Sequence, residues 1–302
     1  ERPDAEPQTP PSCADADGSP DGGAGNEEAP AQPVGKPLNE AAVWQRAIIM
    51  AAGAFMNFLL GFVVMVVLIA AQSEPITSRV IYAIDDGALC GQTGLEAGDK
   101  VLAVNGRRCF VANDMLYELM RTEDYSARFT VLRGGEKVEL PCVRFDTWQD
   151  DSGETHMSLG FTVYGIRKTP ANVVKEAWNS VLYYGRIIFT SLMDLLRGRE
   201  SINDLSGPVG IVTAIGQAAS YGWQDLLQML ALITVNLGVF NLLPFPALDG
   251  GKVVFLLIEG VTGHAVPEKI QSGLTLAAFA LFFGLMLFAT YNDIVRLITG
   301  AV

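Results

Sequence analysis

The chain has 302 residues, half of them hydrophobic, and a formal charge of −12, with a mean hydropathy of +0.29. That balance excludes nucleic acid as a partner, because binding phosphate needs clustered lysine and arginine. It also argues against an ordinary soluble protein, because the apolar residues come in blocks long enough to cross a membrane.

Residues 1–42 carry nine acidic and two basic residues, a net of −7, and no aromatic side chain. Rich in proline, glycine and alanine, they bury too little to offset the entropy of folding and read as a disordered acidic linker. The first residue is glutamate rather than methionine, and a membrane span follows the linker, so a further segment is expected upstream. Between Arg46 and Glu74 there is no charge at all. The 24 residues Ile48 to Ala71 would make a helix about 36 Å long, enough for a hydrocarbon core of about 30 Å. Residues 43–73 are therefore read as a transmembrane helix. Trp44 and Arg46 suit a headgroup layer, and Arg46 with Lys36 favours a cytoplasmic start.

Residues 74–166 alternate short strands and turns around one helix, a small α+β domain. SRVIYAI reads as a strand, Gly94 to Cys109 as a turn, a strand and an Asn105–Gly106 hairpin turn, and Asn113 to Arg121 as a helix capped by Asn113. Two strands flank Gly134–Gly135, and MSLGFTVYGI reads as one closing strand. Cys90, Cys109 and Cys142 fall in this domain without metal spacing, which allows one disulfide or three buried free thiols. The stretch 167–205 contains Asn172 to Leu196, apolar but interrupted by Lys175, Glu176, Arg186 and Asp194. It reads as an amphipathic helix lying in the membrane interface, followed by a linker. Residues 206–302 hold two further spans, Leu226 to Leu248 and Ile270 to Asn292. Parity then puts the small domain outside the cell and Lys252, His264 and Lys269 inside, in keeping with the positive-inside rule.

Asp249 ends an apolar span, just after Pro244 and Pro246 and just before Gly250 and Gly251. The prolines remove two backbone donors and prevent a regular helix. A carboxylate at such depth needs a cation, a metal or a polar cavity; otherwise it caps the helix that follows. Asn57, Asn236 and Asn241 are the other polar groups inside spans, where interhelical hydrogen bonding is the simplest role. Gly53 and Asn57 lie one turn apart, and the small glycine would let another helix approach the asparagine. His156 and His264 both read as surface histidines.

Together these residues resemble the site-2 proteases, intramembrane zinc metalloproteases, and their bacterial RseP-like branch in particular. The family pattern Asn-x-x-Pro-x-x-x-Leu-Asp-Gly is matched by Asn241, Pro244, Leu248, Asp249 and Gly250, and its Gly-x-x-x-Asn element by Gly53 and Asn57. VWQR at 43–46 and Ser206-Gly207-Pro208-Val209-Gly210 are also similar to the family, and GLEAGDKVLAVNG resembles a bacterial PDZ domain. The resemblance covers residues 36–300. It implies a multi-span α-helical membrane protein with one inserted PDZ-like domain, Zn2+ as cofactor, and location in the cell (inner or plasma) membrane. It makes Asp249 a zinc ligand, with Asn241, Asn57, Pro244 and Gly53 lining the substrate site. Gly94, Leu95 and Gly98 would form the peptide-binding loop of the PDZ-like domain; filtering of substrates by size is the equal alternative.

The family also uses HExxH on its first span, with two histidines on one helix face and the glutamate as general base. No such motif occurs in this sequence, so no catalytic residue is assigned here, the missing span is expected just upstream of residue 1, and the 302 residues alone are expected to be inactive. Substrates implied by the resemblance are single-span regulators such as anti-sigma factors, or signal-peptide remnants, within the lipid bilayer. The alternative is a non-catalytic membrane PDZ protein that binds or retains membrane-protein partners. A small transporter is disfavoured, because no repeated half is visible and only one acidic residue was expected within the spans.

Overall fold

The computed structural model describes residues 41–122, 124–150, 153–199 and 206–299. Most of the expected acidic linker lies outside these residues. Among the described residues, three helices are long and apolar enough to cross a membrane: α1 (Val43–Ala71), α6 (Trp223–Leu242) and α8 (Glu268–Thr299). Their outward faces carry large apolar side chains such as Phe55, Leu60, Leu237, Leu276 and Phe283. Such faces suit lipid, because acyl chains solvate leucine and phenylalanine as well as a protein core does.

Helix α1 packs closely on α6. A Cβ added at Gly61 would lie 2.7 Å from Val235 Cγ2, and one at Gly238 would lie 3.1 Å from the Phe58 ring. Small residues at both points let the backbones approach, which in lipid replaces the hydrophobic effect as the source of helix association.

The soluble region runs from β1 (Ile76–Ile84) to β8 (Phe161–Ile166). Between them come α2 (Leu89–Gln92), β2 (Lys100–Val104), β3 (Arg107–Arg108), α3 (Ala112–Met120), β4 (Ser126–Arg133), β5 (Glu136–Arg144), β6 (Asp146–Gln149) and β7 (Thr155–Ser158). The main sheet has the order β5-β4-β2-β1-β8, with β3 on β2, and β6–β7 form a separate hairpin. All pairings are antiparallel. Asn105 and Gly106 both take positive φ (51° and 77°), as a two-residue hairpin turn demands. Met115 and Leu119 of α3 close the core with Ile81, Val101, Phe129 and Val143.

Three local expectations are corrected. MSLGFTVYGI is not one strand: the chain turns at Leu159–Gly160, where Gly160 has φ 62°, and continues as β8. Asn113 does not cap α3. Val111 is its N-cap, and the Asp114 carboxylate accepts the Phe110 and Val111 N–H groups. The three cysteines of this domain are free, as one of the two readings had it, but only Cys90 and Cys109 are buried; Cys142 is exposed on β5. Burial pushes the Cys109 thiol up to about 12 and raises that of Cys90, so neither offers a thiolate. With Cys13 replaced by serine, iodoacetamide is expected to label Cys142 in the native protein, and all three thiols only after unfolding. Native labelling of Cys109 as fast as Cys142 would contradict this core.

The region 167–205 contains α4 (Pro170–Leu196), started by Thr169, whose hydroxyl accepts the Asn172 N–H at 3.2 Å. One face of α4 (Val173, Ala177, Val181, Tyr184) packs on α1 and α6. Its other side meets the soluble domain. Arg186 pairs with Asp114 and lies 3.5 Å from Glu118, while Asp194 pairs with Arg121. Two of the four charges that interrupt this helix in sequence, Arg186 and Asp194, are therefore anchors for the β domain, while Lys175 is exposed.

Residues 206–302 hold more than the two expected spans. A helix α5 (Pro208–Tyr221) precedes α6, and α7 (Asp249–Thr262) stands between α6 and α8. Helix α8 also outruns its expected end at Asn292 and includes Asp293, an acidic residue only 5 % exposed. Its carboxylate accepts the Gly207 N–H at 3.2 Å and the Gly210 N–H at 2.7 Å. Cβ atoms could not be fitted at Gly207 without meeting the Ala289 and Thr290 backbone at 2.8 Å. The Gly-Pro-Val-Gly stretch is thus a docking turn that seats α5 on α8.

Candidate functional site

Helix α6 ends at Leu242, six residues before the expected end of the span. Pro244 and Pro246 cannot donate to a helix ladder, and the chain turns instead, with Leu248 N–H bonded to Phe245 O at 2.9 Å. Helix α8 braces this turn. Thr275 Oγ1 donates to Pro246 O at 3.2 Å, and the rings of Phe245 and Phe282 lie 4.9 Å apart.

The two glycines after Asp249 are required by packing. A Cβ at Gly250 would lie 2.3 Å from Leu243 O, and one at Gly251 would lie 2.1 Å from Phe245 O. Both are impossible approaches, so only glycine lets the first turn of α7 tuck beneath the proline turn.

Asp249 is the first residue of α7, and Leu248, not Asp249, is its N-cap. The Asp249 side chain is 36 % exposed and has one charged neighbour, Lys252 Nζ at 3.4 Å. It therefore does not act as the helix cap. It turns instead toward α1, where a Cβ built at Gly53 would sit 3.5 Å from Asp249 Oδ2. The glycine leaves the carboxylate uncovered at the helix–helix contact.

The other expected site residues are spread around this point. Asn57 lies one turn beyond Gly53 on α1 and Asn241 near the end of α6, both partly exposed. Pro244 lines an apolar groove of about 680 Å³ between α1, α4 and α6, with Phe55, Phe62, Trp178 and Leu242. Among these residues, the distances bring Asp249 and Gly53 together.

The turn expected to form the peptide-binding loop, Gly94, Leu95 and Gly98, is closed by its own hydrogen bonds. Leu95 is 1 % exposed and belongs to the core. Arg133 closes the turn from inside: its guanidinium donates to both oxygens of buried Asp99 at 2.7 Å and to Gly94 O at 2.7 Å. The Gly98 N–H is bonded to Ile81 O at 2.8 Å. The Gly94 and Leu95 N–H groups are committed too, to Gly91 O and Cys90 O, and the turn lies beside β5, whose Leu140 side chain would be 3.3 Å from a Cβ at Gly94.

The histidines stay away from Asp249. His264 Nδ1 is 3.0 Å from Thr262 O, and His156 Nε2 is 3.1 Å from Asp150 Oδ2. Among the described residues, the one group of three metal-ligating side chains is Asp150, Glu154 and His156, on the β6–β7 hairpin. Asp249 fits a metal as a single, accessible anionic ligand and cannot complete a site from the described residues.

Sequence inspection missed a pair beside the site. Arg46 near the start of α1 forks onto Glu259 of α7, Nη1 to Oε2 at 3.2 Å and Nη2 to Oε1. The partners are 213 positions apart, so no local pattern could have revealed them.

A bundle of span-length helices with an inserted β domain, and an acidic residue on a proline–glycine turn between two helices, defines a polytopic membrane protein with a polar centre among its helices. The chain belongs to the family described as Peptidase family M50, whose profile matches residues 8–285. It is 30 % identical to the regulator of sigma-W protease RasP of Bacillus subtilis, over 90 % of this chain and 64 % of the relative. It is 33 % identical to the zinc metalloprotease RasP of Geobacillus kaustophilus, over 83 % and 59 %. A putative zinc metalloprotease of Agrobacterium fabrum, Atu1380, is 29 % identical over 86 % and 72 %. The chain thus spans less than two thirds of the length of the first two relatives.

Proposed function

We propose that this chain carries one half of the active site of an intramembrane zinc metalloprotease. Asp249 would be one zinc ligand, and the two histidines and the general-base glutamate would come from a HExxH span absent from these 302 residues. The observation that carries this reading is the Asp249 carboxylate itself: first in α7, not used as a cap, and facing a glycine on the neighbouring span. The names of the relatives support zinc and proteolysis.

Bound zinc would supply Lewis acidity and a water of lowered pKa. The residues of this chain would do the positioning. The rigid proline–glycine turn holds Asp249, and Gly53 keeps the approach to it open. Asn57 and Asn241 each offer a donor and an acceptor to a substrate backbone, which must leave its helix before attack because its carbonyls are already bonded. The β domain would act as a PDZ-like filter outside the cell, in front of single-span substrates. Peptide capture would use an edge strand, β5 or β8, in place of the closed 94–98 turn; exclusion by size is the other way such a domain could select. On this reading the 302 residues alone do not cleave peptides, for want of HExxH.

The test is the coding sequence upstream of residue 1, followed by an assay. A longer protein with an HExxH span is expected to cleave a single-span substrate in vesicles and to stop when zinc is chelated. A complete reading frame without that motif would favour the non-catalytic, partner-retaining alternative.

A further inference from the structure

Helix α7 lies antiparallel against the N-terminal half of α1, and three contacts mark its register. Gly53 faces Asp249 at one end, and Val43 faces Gly260 at the other, where a Cβ at Gly260 would lie 3.6 Å from Val43 Cγ1. Between these lies the Arg46–Glu259 pair, both side chains less than one fifth exposed. Arg46 also donates from Nε to Ala41 O at 3.1 Å, so the guanidinium is held on two sides. The buried residues of α7 are themselves small or apolar: Gly250, Gly251 and Leu256. Apolar surfaces slide with little penalty in lipid, whereas a forked guanidinium–carboxylate pair has one good geometry.

We infer that Arg46 and Glu259 are positioning residues: their ion pair sets the register of α7 on α1 and thereby presents the Asp249 carboxylate at Gly53. The functional part of this inference rests on the proposed metal role of Asp249, but the register itself does not. Lysine at position 46 would keep the charge and lose the fork.

The register is read by disulfide trapping in the 302-residue chain in membranes, with its four cysteines replaced by serine. Val43→Cys with Gly260→Cys reports α1 against α7, since crosslinking needs Cβ atoms about 4 Å apart. Gly61→Cys with Val235→Cys reports α1 against α6. Arg46→Ala and Glu259→Gln are each expected to slow the first crosslink about tenfold and leave the second unchanged. The charge-reversed pair, Arg46→Glu with Glu259→Arg, is expected to restore the first. Unchanged trapping, equal loss of both crosslinks, or no recovery on reversal would each overturn the inference. In a longer protein that binds zinc, metal content should follow the first crosslink; full zinc in a register-lost variant would overturn the positioning role. Absence of zinc from the parent protein would instead count against the proposed function, with the crosslink result standing.

Discussion

Asp249→Asn, in a protein extended to include the HExxH span, is expected to lose zinc and peptide cleavage together while keeping its fold. Asparagine has the shape of aspartate, so the proline–glycine turn beneath it is not disturbed. Its neutral amide oxygen is a poor zinc ligand. Removing groups that merely orient a ligand already costs about 10- to 100-fold in metal affinity or activity, so losing the ligand itself should exceed about 100-fold. Stability should hardly change, because the carboxylate caps nothing and its charged neighbour is Lys252 at 3.4 Å on a half-exposed pair, an interaction worth about 0–1 kcal/mol. Metal analysis, a cleavage assay and a melting curve on the same preparation check all three points. Normal zinc and turnover in this variant would remove Asp249 from the site.

Arg186→Ala should have the largest effect on stability. Arg186 is the cation that the soluble domain shares with α4. It pairs with Asp114, fully buried, and lies 3.5 Å from Glu118, whose side chain is 4 % exposed. Its Nη1 also donates to Arg108 O. Burial already pushes the Asp114 carboxyl up, opposed by the Val111 and Phe110 N–H groups and by Arg186. Without the guanidinium, two carboxylates four residues apart on α3 would be left desolvated. Glu118 would keep only Arg107 at 3.6 Å. Breaking a buried pair by removing one partner costs about 3–5 kcal/mol. Thermal unfolding in detergent should show that loss, and limited proteolysis should show the β domain released from α4. Arg186→Lys should recover part of it, since charge is kept and the fork is not. A melting temperature equal to that of the parent would show that α4 and the domain are held by other contacts.

These two residues differ in how far they could be read without a fold. Asp249 was visible as a candidate because a carboxylate in an uncharged apolar run is costly wherever the run ends up. Arg186 was visible only as an interruption, and its charge argued for a helix at the membrane surface. Neither its partners nor its burial follows from that, because Asp114 is 72 positions away. The same limit explains Asp293, which lies just beyond an uncharged stretch and is explained only when α5 docks on α8. It also explains why the 94–98 turn is closed: GLEAGD has the composition of an open glycine turn, and Arg133, arriving from β4, closes it.

What the amino-acid sequence determined by itself was most of what depends on near neighbours. The uncharged runs set the spans, alternation and glycine turns set most of the β domain, and two prolines followed by two glycines ended α6 and began a new helix. Those signals are local because hydrophobic period and backbone donors are properties of consecutive residues. Tertiary structure decided where Asp249 points, that Gly53 faces it, and that Arg46 holds α7 through Glu259. Each of these joins positions far apart in the chain, and pairwise geometry at that separation is set by packing.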